Sequence, residues 1–290
     1  MNTSVAFLGL GIMGTGMATR LLGRGFDVTV FNRSPQKAVA LRSLGAEVAY
    51  TPREAAKYAT CIISMLADDD AARAVWLGAD GALAGAKAGA VLVESSTATV
   101  DWVKELAAAA AGRQLEFLDA PVTGSKSHAA SGELTFLVGG ADSALSKVRP
   151  ILSAMSKEIM HLGPVGSGAL MKLINNFVCG VQAVALAEAI AAIERSSLDR
   201  QKAVGVLTGG APGSPLVKMI SARMMAHNYE PNFMMKLIAK DIRYAQRQIG
   251  DTEVGAAALH TFERAIQAGH GDQDFASVVE LLRDSTRNKK

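Results

Sequence analysis

Val5-Ala6-Phe7-Leu8-Gly9-Leu10-Gly11-Ile12-Met13-Gly14 is an apolar strand pattern that runs directly into three glycines spaced G-x-G-x-x-G. A helix pattern follows, lasting to about Gly23. The spacing has a mechanical meaning. The first glycine permits a tight turn, the second lets the backbone approach a pyrophosphate, and the third lets helix pack on strand. The helix N-terminus beyond them offers free N–H groups and a positive dipole end to phosphates. Glycines also mark ordinary turns, so the motif alone is weak. Its place after a strand, before a helix and within a βαβ unit favours a dinucleotide site, with contacts expected at Gly9, Leu10, Gly11, Ile12, Met13 and Gly14.

The end of the second strand pattern, Asp27–Phe31, refines this. A site selective for NAD usually has Asp or Glu about 20 residues on, holding the ribose 2′-hydroxyl. This chain has Asn32-Arg33-Ser34 and no acid there. A carboxylate would repel a 2′-phosphate, whereas Arg33 can pair with it bidentately and Asn32 or Ser34 can add hydrogen bonds. Arg33 also fits a solvated loop. The missing acid and the gained arginine coincide, which favours NADP(H).

The first half continues as short apolar runs separated by helical patterns. Ala46–Ala49, Cys61–Leu66, Ala90–Glu94, Leu115–Leu118 and Leu134–Gly139 read as strands, and Pro35–Leu44, Thr99–Ala111 and Ser143–Met155 as helices. The strands up to Leu118, spaced this way, imply parallel pairing with right-handed crossovers, in a sheet covered on both faces. The texture changes near Pro164. Gly168–Glu194 is a long apolar helix pattern expected to be buried on most sides. Asp199–Leu207, Pro215–Ala226, Met234–Ile249, Val254–Ala268 and Phe275–Arg283 follow as helices. We therefore expect an α/β domain over residues 1–163 and an all-helical domain over 164–290.

The formal charge of +3 is too small for a nucleic-acid binder. No apolar run is long and uninterrupted enough to be read as a membrane span. The N-terminus shows no signal-peptide pattern. The two cysteines, Cys61 and Cys179, and the five histidines lack metal-ligand spacing, so no metal is expected and the cysteines read as reduced thiols of a cytoplasmic protein.

Open α/β sheets bind ligands beyond the carboxyl ends of their strands. Three segments fall there: Ser64-Met65-Leu66-Ala67-Asp68, Glu94-Ser95-Ser96-Thr97, and Asp119-Ala120-Pro121-Val122-Thr123-Gly124-Ser125. The last two carry small hydroxyl side chains suited to a carboxylate or to the nicotinamide end, though such loops are usually only turns and caps. In the long apolar helix, Lys172 and Asn176 are four apart and share a face. Lys172 fits two readings. It can snorkel to the surface, or it can face a cavity, where desolvation and the helix dipole would lower its pKa towards the range useful for proton transfer.

Together these segments resemble the β-hydroxyacid dehydrogenase family, which includes 3-hydroxyisobutyrate dehydrogenase, tartronate semialdehyde reductase and the glyoxylate/succinic semialdehyde reductases. The resemblance spans essentially the whole chain. Its carriers are Phe7–Gly14 with Met17-Ala18, Leu118-Asp119-Ala120-Pro121-Val122-Thr123-Gly124, Gly166-x-Gly168-x-x-x-Lys172-x-x-Asn175-Asn176, and Lys240-Asp241. It implies a Rossmann-type N-terminal domain followed by an all-α C-terminal domain that carries substrate and oligomer contacts. The long apolar helix needs cover, partly from a second subunit, so a homodimer or homotetramer is expected. The resemblance implies Lys172 as catalytic acid/base, with Asn176 positioning the substrate or the lysine. Thr97 would lie near the nicotinamide, Met65 and Leu66 on the cofactor side, and Lys240 against the cofactor with Asp241 behind it. Thr123, Gly124, Ser125, Phe233 and Asp241 would meet the substrate. Phe233–Arg243 and Thr123–Lys126 resemble the glyoxylate/succinic semialdehyde branch most, whereas Val138-Gly139-Gly140 is closer to the 3-hydroxyisobutyrate branch. The implied reaction is NADPH-dependent reduction of a small aldehyde acid, or its reverse. Oxidation of 3-hydroxyisobutyrate, or tartronate semialdehyde chemistry, is the alternative. Imine reductases and non-catalytic scaffolds share the architecture but commonly lack the lysine. Two residues depart from the family pattern. Thr123 stands where Ser is usual, which narrows the site by a methyl, and Arg20 replaces Asn or His beyond the phosphate turn.

Overall fold

The computed structural model describes residues 4–250 and 252–284. The chain forms two compact units, Met1–Lys172 and Leu173–Lys290. In the first, β1 (Ser4–Leu8), α1 (Ile12–Gly23), β2 (Asp27–Phe31), α2 (Pro35–Arg42), β3 (Glu47–Val48), α3 (Pro52–Ala56) and β4 (Cys61–Ser64) open the fold. There follow α4 (Asp69–Leu77), α5 (Ala82–Gly85), β5 (Val91–Glu94), α6 (Val100–Ala111), β6 (Glu116–Asp119), β7 (Val122–Thr123) and α7 (Lys126–Ser131). The sheet ends with β8 (Leu134–Gly140), α8 (Asp142–Met155) and β9 (Ser156–Gly163).

The strand order is β3-β2-β1-β4-β5-β6-β8-β7, with β9 also on β8. From β3 to β6 every pairing is parallel. The order reverses beside β1, so the end of β1 opens on the crevice where such sheets bind ligands. Successive strand residues serve opposite cores. Val5 and Phe7 pack with Met17, Leu21 and Leu152 on one face, and Ala6 and Leu8 with Trp76, Trp102 and Leu106 on the other. This period of two, with helices over both faces, explains why the strands are continuous apolar runs.

The parallel run ends at β6. β8 runs antiparallel to β6 and to β7, and is parallel only to β9. The cause is the connection. A parallel return needs a full crossover, but Pro121 to Glu133 holds only the two-residue β7 and the six-residue α7. The strand β9 was not legible because it is mostly exposed, with a burial pattern that does not alternate.

The second unit is helical among its described residues. The helix α9 (Ser167–Arg195) runs into it from the first unit. Then come α10 (Arg200–Gly209), α11 (Pro215–Met225), α12 (Met235–Ile249) and α13 (Glu253–Ala265). A π-helical turn at Ile266–His270, a 3-10 turn at Phe275–Ser277 and α14 (Val278–Asp284) complete it. The core gathers Ala187, Ile190, Ile220, Met235, Ile242 and Phe262. Asp199 and Ser214 cap α10 and α11 by accepting the N–H groups of Lys202 and Val217. The buried face of α12 takes Met235, Ile238, Ala239, Asp241, Ile242 and Ala245, the i, i+3, i+4 spacing of an amphipathic helix.

The helix α9 is less covered than its composition implies. It is long and apolar enough to cross a membrane by length and composition, and 44% of its most apolar 18-residue window is buried. Leu170, Met171 and Val178 are each more than a third exposed. The expectation of burial on most sides thus holds for one face.

Candidate functional site

At the end of β1 the glycine turn has the form its spacing predicts. Gly9 has φ +101°, and a Cβ there would stand 2.4 Å from the Met65 carbonyl oxygen. A Cβ at Gly14 would stand 2.1 Å from the Gly9 carbonyl oxygen, so helix and turn meet backbone to backbone. Gly11 differs. It has ordinary extended dihedrals, and a Cβ there would meet nothing within 4 Å. The chain's own packing therefore gives no reason for glycine at Gly11. It is also the N-cap of α1 and makes no side-chain cap, leaving first-turn N–H groups to an outside acceptor. A pyrophosphate fits both facts, and the turn suits a dinucleotide.

Asn32 supports the turn from β2. Its Oδ1 accepts the Leu10 N–H at 2.8 Å, and its Nδ2 donates to the Ser34 carbonyl at 3.0 Å. Both ends of its amide are thus engaged within the chain, shaping the glycine loop and the Arg33 bend. Arg33 and Ser34 are exposed. Arg20, the departure beyond the turn, serves the packing of the unit. Its Nε donates to the Ala154 carbonyl at 3.2 Å and joins α1 to the end of α8.

Loops from β4 and β5 lie beside this turn. Leu66 N–H donates to Ser96 Oγ at 2.8 Å, linking the two. Thr97 is half-buried between buried neighbours. Thr99, just beyond, donates its N–H and its hydroxyl to the Asp69 carboxylate at 3.1 and 2.5 Å.

Asp119, at the end of β6, is buried and accepts the N–H groups of Gly166 and Ala169, each at 2.8 Å. It therefore holds the start of α9, the helix that bears Lys172. Burial pushes its carboxyl up, and the backbone N–H groups oppose that shift. Gly168 makes the approach possible, because a Cβ there would lie 2.1 Å from the Leu137 carbonyl oxygen. Lys172 is half-buried in the second turn of α9. Thr123, which ends β7, is half-buried, and Gly124 after it has φ +131°. Ser125 meets His128 Nδ1 through its N–H at 3.0 Å and its hydroxyl at 2.8 Å.

In the helical unit, Asn176 is 3% exposed. Its Nδ2 donates to Asp241 Oδ2 at 2.6 Å, and its Oδ1 accepts from Asn175 at 3.0 Å. Asp241 is the polar residue on the buried face of α12. Lys240 Nζ lies 2.9 Å from its other oxygen, an ion pair out of line for a hydrogen bond. The same Nζ stands 4.8 Å above the Tyr244 ring. Phe233 packs edge-to-face on Phe275 at 5.6 Å. Its N–H and that of Asn232 are held by Asp274 Oδ2, whose carboxylate also faces Arg223 Nε at 3.3 Å. Sequence reading missed Asp274. An aspartate preceding a short helical turn looks like an ordinary cap, and here it also caps Ala276.

Comparison with known proteins gives a consistent result. Residues 4–163 match the family described as the NAD binding domain of 6-phosphogluconate dehydrogenase. Residues 166–282 match the family described as NAD-binding of NADP-dependent 3-hydroxyisobutyrate dehydrogenase. The NAD-dependent L-serine dehydrogenase of Pseudomonas aeruginosa is 34% identical, over 98% of this chain and 99% of that one. The chloroplastic glyoxylate/succinic semialdehyde reductase 2 of Arabidopsis thaliana is 35% identical, over 97% of this chain and 80% of that one. Among solved structures, a Mycobacterium tuberculosis 3-hydroxyisobutyrate dehydrogenase with L-serine has a TM-score of 0.88 at 32% identity, covering 98% of this chain and 100% of that one.

Proposed function

This chain belongs to the β-hydroxyacid dehydrogenase family, and from that premise we propose that it reduces a small aldehyde acid with NADPH, or oxidises the matching hydroxy acid, with Lys172 as general acid/base. The coarser statement, an NAD(P)-dependent oxidoreductase acting on CH–OH groups of small hydroxy acids, follows from the family itself.

The observation that carries the finer reading is the chain Asn176–Asp241–Lys240, whose amide and carboxylate are buried and whose ammonium is half-buried. A buried amide and a buried carboxylate are costly in an apolar core unless they serve a site. In this reading the glycine turn and the N-terminus of α1 bind the pyrophosphate, Arg33 pairs with the 2′-phosphate, and Asn32 holds the loop between them. Met65, Leu66, Thr97 and Lys240 contact the rest of the cofactor. When bound, the reduced nicotinamide supplies a hydride to the carbonyl carbon. Lys172 gives a proton from Nζ to the carbonyl oxygen as the alkoxide forms, and takes it back in the oxidation. Thr123, Gly124 and Ser125 hold the substrate carboxylate, while Asn176, Asp241 and Phe233 shape the remaining contacts.

The glyoxylate or succinic semialdehyde type is the substrate class favoured by the segments around Thr123 and Phe233. A second reading, oxidation of a β-hydroxy acid such as L-serine or 3-hydroxyisobutyrate, is favoured by the serine dehydrogenase relative and the serine-bound structure. We place the protein in the cytoplasm, which suits two cysteines carrying thiols, and as a homodimer or homotetramer, which suits the open apolar face of α9.

The test is a panel of glyoxylate, succinic semialdehyde, tartronate semialdehyde and methylmalonate semialdehyde with NADPH and with NADH, and of L-serine and 3-hydroxyisobutyrate with the oxidised cofactors. The expected result is turnover of at least one aldehyde acid with a clear preference for NADPH. Arg33→Ala should cost about ten- to hundredfold in KM for NADPH, the scale of a charge-assisted contact, and leave NADH nearly unchanged. Equal kcat/KM for the two cofactors would reject the NADP reading. Turnover confined to L-serine or 3-hydroxyisobutyrate would select the second substrate class.

A further inference from the structure

Behind the loops read above as cofactor contacts lies a buried acid to which the reaction assigns no part. Glu94 ends β5 and is fully buried. One carboxylate oxygen accepts the Ser64 hydroxyl at 2.7 Å and the Ser96 N–H at 2.9 Å. The other accepts the indole N–H groups of Trp76 at 3.0 Å and Trp102 at 3.3 Å. These are the chain's two tryptophans. The four donors come from the end of β4, from α4, from the loop after β5, and from α6.

Stability alone does not call for this arrangement. Taking a carboxylate out of water is expensive, and well-packed apolar residues of similar volume often serve a core as well or better. Burial does push the Glu94 carboxyl up, and the hydrogen bonds from Ser96, Ser64 and Trp102 oppose that shift. A carboxylate supplies what an apolar side chain or an amide cannot. It is acceptor-only, with room for about four donors, so every neighbour must point a hydrogen at it.

The consequence reaches the adjacent loops. The bond to the Ser96 N–H fixes the backbone just before Thr97. Ser96 Oγ then accepts the Leu66 N–H, so the β4 loop is fixed by the same anchor. At the far end of the β5 loop, Thr99 is held by Asp69. The half-buried Thr97 is thus suspended between two acids.

We infer that Glu94 is a positioning residue: its carboxylate, gathered by both indoles, holds the Met65–Leu66 and Ser95–Thr97 backbones in the register that receives the nicotinamide cofactor. The inference rests on the reading of these two loops as cofactor contacts. Glu94 acts through Ser64, Ser96 and Leu66 rather than by touching the cofactor.

The two tryptophans make a direct test. NADPH or NADH, whichever the wild type binds more tightly, is titrated against the wild type, Glu94→Gln, Glu94→Asp and Trp102→Phe. Dissociation constants are read from energy transfer between indole and nicotinamide, and folding from thermal melts. KM for cofactor, KM for aldehyde and kcat are measured alongside. Glu94→Gln turns two amide hydrogens towards groups that are themselves donors. It should raise the cofactor Kd about tenfold, with KM for cofactor following, the scale of one buried hydrogen bond lost. The aldehyde KM and kcat at saturating cofactor should change by less than about threefold, because the proton donor and the carboxylate loop lie elsewhere. Glu94→Asp keeps the charge but is one methylene short, and should fall between wild type and Gln. Trp102→Phe keeps an aromatic ring, removes one donor, and should raise Kd by about two- to fivefold.

A lowered melting temperature with unchanged Kd in the folded variants would make the cluster merely structural and overturn the inference. Should Glu94→Gln fail to fold, Trp102→Phe and Trp76→Phe decide the matter by the same Kd criterion. A wild type that binds neither nucleotide would remove the cofactor reading and this inference with it. Unchanged Kd in the variants removes this inference alone.

Discussion

The sheet unit and the helical unit secure their buried and partly buried acids in opposite ways. In the sheet unit, Glu94 and Asp119 are surrounded by neutral donors, namely indoles, hydroxyls and backbone N–H groups. Burial wins, and both carboxyls are pushed up. In the helical unit, acids are matched with cations: Asp241 with Lys240, Asp274 with Arg223, and Glu194 and Glu280 with Arg283. The hydrogen bond from Arg283 holds Glu194 below the usual carboxylate range. Burial alone would raise Glu280, but hydrogen bonds from Tyr229 and Arg283 outweigh it and its carboxyl is also held down. Neutral donors fix loop geometry around a carboxylate without balancing its charge, whereas ion pairs tie helices together and balance it.

The two devices respond to pH with opposite sign. Glu94 and Asp119 hold a proton more tightly folded than unfolded. The stability linked to them is complete below the ordinary carboxylate range and declines as pH rises through their folded values. Glu194 and Glu280 hold a proton less tightly folded. Their contribution is complete above the ordinary range and is lost as pH falls through their folded values.

The largest effect on this contrast should come from Arg283→Met. It strands Glu194 and Glu280, which share the arginine between α9 and α14; Glu280 also meets His227 and Tyr229. Removing one partner of a fully buried pair costs roughly 3–5 kcal/mol, and this cluster is only partly buried, so about 2–3 kcal/mol is expected. Urea melts near neutral pH measure that loss. Repeated at falling pH, they should show a shallower acid decline in the variant than in the wild type. Equal slopes in both would break the contrast.

A smaller effect is expected for Asp119→Asn. One of the N–H groups of Gly166 and Ala169 would face an amide hydrogen, but a buried uncompensated charge would also go. The net loss should be about 1 kcal/mol near neutral pH. It should grow as pH falls, because the wild type then gains from protonating Asp119. A loss of the same size as in Arg283→Met would erase the distinction between the two devices.

The same division decides what the sequence revealed. The glycine turn and the strands β1, β2, β4 and β5 were legible because they follow backbone rules with short periods. The helices after Pro164 were legible from apolar spacing. The strand β8 was legible but its antiparallel direction was not, because pairing direction depends on the length and content of the preceding connection. The exposed β9 has no alternation to detect. Among site residues, Lys172 and Asn176 stood out as polar groups in an apolar helix. Asn32 was read as able to add hydrogen bonds at the cofactor; that its amide also holds Leu10 and Ser34 only the fold can show. Glu94 was visible as the end of a strand, yet nothing local indicates that Trp76 and Trp102, from two different helices, turn their N–H groups to it. Asp274 and the Arg283 cluster escaped for the same reason, since their partners lie dozens of residues away in the chain.

The role of Lys172 as general acid is tested by single-turnover NADPH oxidation by wild type and Lys172→Ala, with the best aldehyde acid from the panel. The variant should fold, because α9 keeps its apolar face and alanine favours helix. It should still bind NADPH, because the glycine turn, Asn32 and Arg33 are untouched. The rate of the hydride step should fall by roughly 10²–10⁴-fold, the contribution of a general acid. A folded, NADPH-binding Lys172→Ala protein that oxidises NADPH at nearly the wild-type rate would contradict that role.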